Sequence, residues 1–233
     1  MTSTGRPTMQ SPEPHALGAG LDALGLALDA SQQSSLLAYL SLIAKWNKVY
    51  NLTAVRDPAE MLTMHLLDSL AVVSPLTRHL GDRPARVLDV GSGAGLPGVV
   101  LAIALPQLTV TCVDTVGKKA SFIQQVAGEL KLRNLSAQHA RVESLEIAPV
   151  DVVTSRAFAS LSDFTSLTGK HLGPDSVWMA MKGKRPLTEE AELPPSIDVF
   201  HVEQLNVPGL DAERCLVWMR HASAPASFVS GAR

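Results

Sequence analysis

The sequence predicts an α/β fold: a mostly parallel sheet flanked by helices, with a helical N-terminal extension. Three observations predict it. From Arg86 onward, short apolar runs alternate with helical patterns, the texture of parallel βαβ units. The first of these runs passes straight into a glycine-rich turn, Gly91 to Gly98. Near the end, two β-type runs, Ile197 to Val207 and Arg214 to His221, are joined by Pro208-Gly209-Leu210-Asp211. They read as a hairpin, so the sheet finishes antiparallel.

The elements follow in order. Residues Met1 to Pro14 are rich in Ser, Thr and Pro, which predicts a disordered tail over 1–15. A helical extension is expected over 16–80. In it Leu36, Leu40 and Ile43 share one helix face. A second helix starts at Asp57-Pro58-Ala59-Glu60. Asp57 can cap it, Pro58 suits the first helical position, and Glu60 can close a capping box, so it should run to about Leu76. An α/β domain is expected over 81–222 and a flexible tail over 223–233. Its strands are read at Val87–Val90, Leu108–Val113, Val152–Val153 and Val177–Met181, and Phe122, Val126 and Leu130 mark an intervening helix.

Composition bounds the function. The chain has 233 residues, 46% hydrophobic and 18% charged, as in a globular protein with one sizeable core. No apolar run is long enough for a transmembrane helix, and the N-terminus does not read as a signal peptide. Cys112 and Cys215 both lie in β-type apolar runs. Buried reduced thiols are expected, which fits a cytoplasmic location. The net charge of −2 argues against a protein that coats nucleic acid by bulk charge. Yet ten of the twenty Lys and Arg residues fall between Lys118 and Arg185.

The strongest motif is Val87-Leu88-Asp89-Val90-Gly91-Ser92-Gly93-Ala94-Gly95-Leu96-Pro97-Gly98. Strand, glycine turn and helix N-terminus together bring a backbone close to a ligand. Gly93 to Gly98 also matches G-x-G-x-x-G, the dinucleotide fingerprint. Two features argue against a dinucleotide. The strand ends at Asp89-Val90 with Gly91 first, and Pro97 offers no N–H where a pyrophosphate would need one. An acid before the turn suits a cation, and S-adenosylmethionine carries an ammonium and a sulfonium. Asp89 can answer that charge directly or through water. Asp114 ends the second strand, where an acid can accept hydrogen bonds from ribose hydroxyls of either cofactor.

With these residues in place, the chain resembles the small-subunit ribosomal RNA methyltransferase G family, also called glucose-inhibited division protein B. The resemblance spans about Leu36 to Arg220. It rests on Trp46-Asn47-Lys48-Val49-Tyr50-Asn51-Leu52-Thr53, His65-Leu66-Leu67-Asp68-Ser69, the glycine loop, Lys118-Lys119, Arg141-Val142-Glu143, Ser155-Arg156-Ala157-Phe158-Ala159 and Lys182-Gly183. It implies a class I S-adenosylmethionine-dependent methyltransferase fold, a Rossmann-like seven-stranded sheet with the last strand antiparallel. It also implies methylation of guanine N7 in the 530 loop of 16S rRNA, on naked RNA or a 30S particle. By the same resemblance Gly91, Gly95, Leu96, Asp114, Thr115, Val142, Glu143 and Arg156 line the cofactor site, beside Asp89. Asn51 and His65 become candidates for orienting cofactor or guanine; on position alone each reads as structural.

The residues carry this chemistry without a nucleophile. Guanine N7 has a lone pair and no proton, so alignment and electrostatics suffice. No Asn/Asp-Pro-Pro-aromatic loop follows the fourth strand, and neither cysteine lies in a plausible catalytic loop. No zinc-type Cys or His spacing occurs, so no metal is expected. Arg156 can hold the cofactor carboxylate or an RNA phosphate. Lys182, Lys184 and Arg185 follow the fifth strand and suit phosphates; Lys118 and Lys119 open a helix, where cations oppose the macrodipole. Only 4% of residues are aromatic, so stacking platforms are scarce. Other readings stay open: a methyltransferase acting on another RNA, a protein or a small molecule, a nicotinamide dehydrogenase, or a non-enzymatic cofactor-binding regulator.

Overall fold

In a computed structural model of the chain, residues 14–156 and 158–222 are described. The predicted tail over 223–233 lies outside them, as does most of the one over 1–15. The first helix begins within that second stretch, so Pro14 and His15 are helical rather than disordered.

Helix α1 spans Pro14–Leu24 and α2 spans Ala30–Tyr50. Asp29 and Gln32 cap α2 reciprocally: the Asp29 carboxylate accepts the Gln32 backbone N–H at 2.8 Å, and the Gln32 side chain accepts that of Asp29 at 2.9 Å. The apolar stripe of α2 buries Leu36, Leu40 and Ile43. Asp57 caps α3, Pro58–Met61, by accepting the N–H groups of Ala59 and Glu60. The expected single helix to Leu76 is not continuous. A π-helical turn, Leu62–Leu67, leads into α4, Asp68–Leu70, and a new helix, α5, covers Val73–Leu80. Pro75 explains the break. It has no N–H to donate, which a helix interior needs but a first turn does not.

Among the described residues, seven strands form one sheet in the order β3-β2-β1-β4-β5-β7-β6. They are β1 Ala85–Val90, β2 Leu108–Asp114, β3 Leu135–His139, β4 Val150–Ser155, β5 Leu172–Lys182, β6 Ile197–Gln204 and β7 Cys215–His221. β7 runs antiparallel to both neighbours; the other pairings are parallel. Residues alternate between two cores along the strands. Val87, Val110, Val152 and Met179 face α2, α6 (Gly98–Ala104) and α7 (Gly117–Glu129). Leu88, Val113, Val153 and Trp178 face α8, Leu161–Thr168. The chain runs outward from β1 to β3 and then returns to β4 on the other side of β1. That reversal opens a crevice at the carboxyl ends of β1 and β4, where ligands bind in such sheets.

Candidate active site

Two cavities open at that end of the sheet. The first, about 480 Å³, is walled by Gly91, Asp114, Thr115, Lys119, Val142, Glu143 and Phe158, among others. The second, about 440 Å³, is walled by Thr53, Val55, Met64, His65, Asp68, Arg156, Met181, Lys182, Gly183 and Arg214. The loop after β4 stands between them: Arg156 faces the second and Phe158 the first.

The glycine loop builds the first cavity. Gly91 turns the chain with φ +67°, and a Cβ there would meet nothing within 4 Å, so its backbone borders open space. Gly91 and Ser92 donate backbone N–H groups to the Val113 carbonyl at 2.9 and 3.2 Å, fixing the loop to β2. Asp114 accepts the N–H of Gly93 on one oxygen and that of Val116 on the other, both at 2.9 Å. Lys119 Nζ stands 3.7 Å from the same carboxylate. Behind the loop, Asp89 is fully buried, accepting the Gly98 N–H at 2.9 Å. Gly98 must be glycine, because a Cβ would sit 2.5 Å from Cys112 Sγ and 2.8 Å from Asp89 Oδ2. Burial, partly offset by the Gly98 N–H, pushes the Asp89 carboxyl up to about 7. Its Oδ1 is buried with no partner among the described residues.

The second cavity is built on the π-helical turn. His65 is 3% exposed, and neither ring nitrogen has a partner among the described residues. Burial holds its pKa below the usual histidine range, so the ring is neutral. Beside it, buried Asp68 bridges two arginines: Oδ2 lies 3.1 Å from Arg156 Nη1, and Oδ1 accepts the Arg214 Nε–H at 2.8 Å. Arg156 also donates to the Met64 carbonyl at 2.9 Å. The wall therefore carries guanidinium and ammonium groups around a neutral imidazole, a donor-rich lining for an electron-rich partner.

A family model described as rRNA small subunit methyltransferase G matches residues 32–217. A Polaromonas protein named Ribosomal RNA small subunit methyltransferase G is 64% identical over 216 residues, covering 91% of this chain and 95% of its own. A protein of the same name from Methylibium petroleiphilum is 64% identical over 200 residues, covering 86% and 90%. This chain belongs to the rRNA small subunit methyltransferase G family. Its fold is shared more widely. The Burkholderia thailandensis 1,6-didemethyltoxoflavin-N1-methyltransferase, solved with S-adenosylhomocysteine, superposes with a TM-score of 0.56 at 17% identity, covering 84% of this chain and 92% of that one.

Against this family frame, the expected site residues fall into three groups. Gly91, Asp114, Thr115, Val142 and Glu143 come together on the first cavity, and Lys119 joins them there. His65, Arg156 and Lys182 come together on the second; Arg156, expected at the cofactor carboxylate or an RNA phosphate, is not among the residues walling the first. The others stand apart. Asp89 lies behind the loop, where only its orphan oxygen is free to act. Gly95 packs against Val99 and Ile123, and Leu96 is in the core, because the turn folds back onto α7. Asn51 is the exposed left-handed cap of α2.

The cations after β5 differ among themselves. Lys182 donates to Glu189 at 2.8 Å, and Arg185 pairs with Glu190 through two bonds of 2.9 and 3.0 Å. Lys184 is exposed and has no ion pair among the described residues. Lys118 is exposed, while Lys119 turns inward.

Several contributors escaped sequence reasoning. Tyr39 donates its hydroxyl to the Ala94 carbonyl at 2.7 Å and ties α2 to the glycine loop. Asn47, not Asn51, shapes the second cavity, by accepting the Thr53 N–H and donating to the Val55 carbonyl. Asp68 and Arg214 were within reach of one signal, an acid in the apolar run His65 to Leu70. Such an acid needs a buried partner.

Proposed function

We propose that this chain transfers a methyl group from S-adenosylmethionine to N7 of a guanine in the 530 loop of 16S rRNA, in the cytoplasm. Family membership supports the coarser statement, methylation of small-subunit rRNA. The observation that carries the finer reading is the pair of cavities meeting at the loop after β4.

The residues present fit the cofactor. Asp114 offers a carboxylate toward ribose hydroxyls, Glu143 and the Val142 backbone suit an adenine edge, and Gly91 leaves its backbone open. Asp89 Oδ1, buried without a partner, suits a bridging water to an ammonium. When bound, S-adenosylmethionine supplies an electrophilic sulfonium methyl. The chain then has to hold N7 in line with it and keep water out. His65, being neutral, can hydrogen-bond a base without repelling its developing positive charge. Arg156, Lys182 and Arg214 face the guanine O6 side or a phosphate. No base is required, because N7 carries no proton.

The test is to map N7-methylguanine in 16S rRNA from a deletion strain, with and without this gene. The expected result is one methyl in the 530 loop, lost on deletion and restored by complementation. A methyl at another position, or an unchanged map, would overturn the reading.

A further inference from the structure

We infer that Lys170 and His171 are positioning residues that set affinity and selectivity for the adenine end of the cofactor. They touch neither cavity. They act on the short 3₁₀ turn Val142–Ser144, which walls the first cavity. His171 Nε2 lies 2.9 Å from the Val142 carbonyl, and Lys170 Nζ lies 2.7 Å from the Glu143 carbonyl. Two consecutive carbonyls are thus gripped by two consecutive side chains. A carbonyl only accepts, so His171 must carry its proton on Nε2, and that tautomer is fixed by the contact.

The grip matters because the turn has little of its own. A three-residue 3₁₀ turn is held by its i to i+3 bonds, here Ser144 N–H to Arg141 and Leu145 N–H to Val142. Glu143 and Ser144 are exposed, and only Val142 and Leu145 pack inward. The gripping side is firm. His171 is 2% exposed, and its 3₁₀ turn, Gly169–His171, follows α8 directly. Trp178 on β5 donates its indole N–H at 2.8 Å to Thr168, the last residue of α8. The adenine wall is therefore referenced to β5, four strands away from β3 in the sheet order and on the side of the second cavity.

This inference rests on the proposed cofactor reading, and the experiment separates the two. Binding of S-adenosylhomocysteine and of S-inosylhomocysteine, in which a 6-oxo group replaces the amine, is measured by calorimetry. The proteins compared are wild type, Lys170→Met, His171→Ala and His171→Gln. Lys170 is exposed, so its methionine variant folds even if His171→Ala does not. Lys170→Met should weaken S-adenosylhomocysteine binding about fivefold, the effect of one hydrogen bond. The preference for adenine over hypoxanthine should shrink, while kcat at saturation changes less than about twofold. His171→Gln, which can restore an N–H donor, should recover more affinity and selectivity than His171→Ala. Wild-type affinity and selectivity in Lys170→Met would overturn the inference. If wild type itself binds neither ligand, the cofactor reading falls instead.

Discussion

Asp68 accepts the Arg214 Nε–H at 2.8 Å across 146 residues of chain, and its other oxygen meets Arg156 at 3.1 Å. One buried carboxylate from the helical extension thus aims two arginines from separate parts of the sheet domain. Asp68→Asn leaves both guanidinium groups short of an anion. They are each about a quarter exposed, so water relieves part of the loss. The expected destabilisation is about 1–3 kcal/mol, with a larger fall in methyl transfer because the arginines lose their aim. Urea unfolding and a filter assay on 30S particles measure the two. Unchanged activity in the folded variant would show that the bridge merely props the fold.

His65→Leu separates function from stability. The imidazole is buried and has no hydrogen-bond partner among the described residues, so removing it leaves no donor or acceptor stranded. Thermal stability should hold or rise. Methyl transfer should fall by at least about tenfold, the rate equivalent of one hydrogen bond to the reacting base. A variant that loses stability while keeping its rate would assign His65 to the core.

Asp89 makes stability depend on pH. Its folded pKa, raised to about 7 by burial, exceeds the ordinary 3.8. The folded chain therefore holds a proton that the unfolded chain has released over this interval. Its contribution is fully present below about pH 4 and is lost as pH rises through about 7. Asp89→Asn keeps an acceptor for Gly98 and removes the titration. Denaturant curves from about pH 5 to pH 8 should show the wild type losing more stability than the variant, by a few kcal/mol at most. Parallel curves would mean that Asp89 ionises without penalty.

The cations after β5 differ in how free they are to meet a phosphate. Lys184 is unpaired among the described residues, whereas Arg185 is held by Glu190. Lys184→Ala should weaken binding to 30S particles and lower the salt slope by about 0.7–0.9, one phosphate contact. Glu190→Gln should strengthen binding and steepen the slope, since Arg185 no longer has to leave an acid to reach a phosphate. Titration at several salt concentrations measures both. Slopes that match wild type would move the RNA grip elsewhere, with exposed Lys118 the next residue to test.

Most of the sheet was legible because β1, β2, β4 and β5 carry apolar runs and the hairpin carried Pro208-Gly209 between two β-type runs; β3, Leu-Ser-Ala-Gln-His at the sheet edge, has no such run to show it. The first cavity was legible for a similar reason: Gly91 follows β1, Asp114 ends β2 and Glu143 comes four residues after β3, so chain order largely sets their position. The second cavity was much less so. It draws Met64 and His65 from a helix-like segment, Arg156 from a loop and Arg214 from before the last strand. Nothing local links these residues, and the π-helical turn that aims His65 has the same apolar spacing as an α-helix. The pairing of Lys182 and Arg185 with Glu189 and Glu190 was hidden too, since a run of charges reads alike whether its members bind each other or a partner.

The place of β7 has a consequence for how the chain is made. β6 hydrogen-bonds to β7 and to no other strand among the described residues, and β7 alone joins β6 to β5. Until Cys215–His221 has left the ribosome, β5 keeps an open edge and β6 has no sheet to join. Open edges pair with strands of other chains. A nascent or prematurely stopped chain thus carries an uncovered β5 edge, which is paired only once synthesis has passed β7.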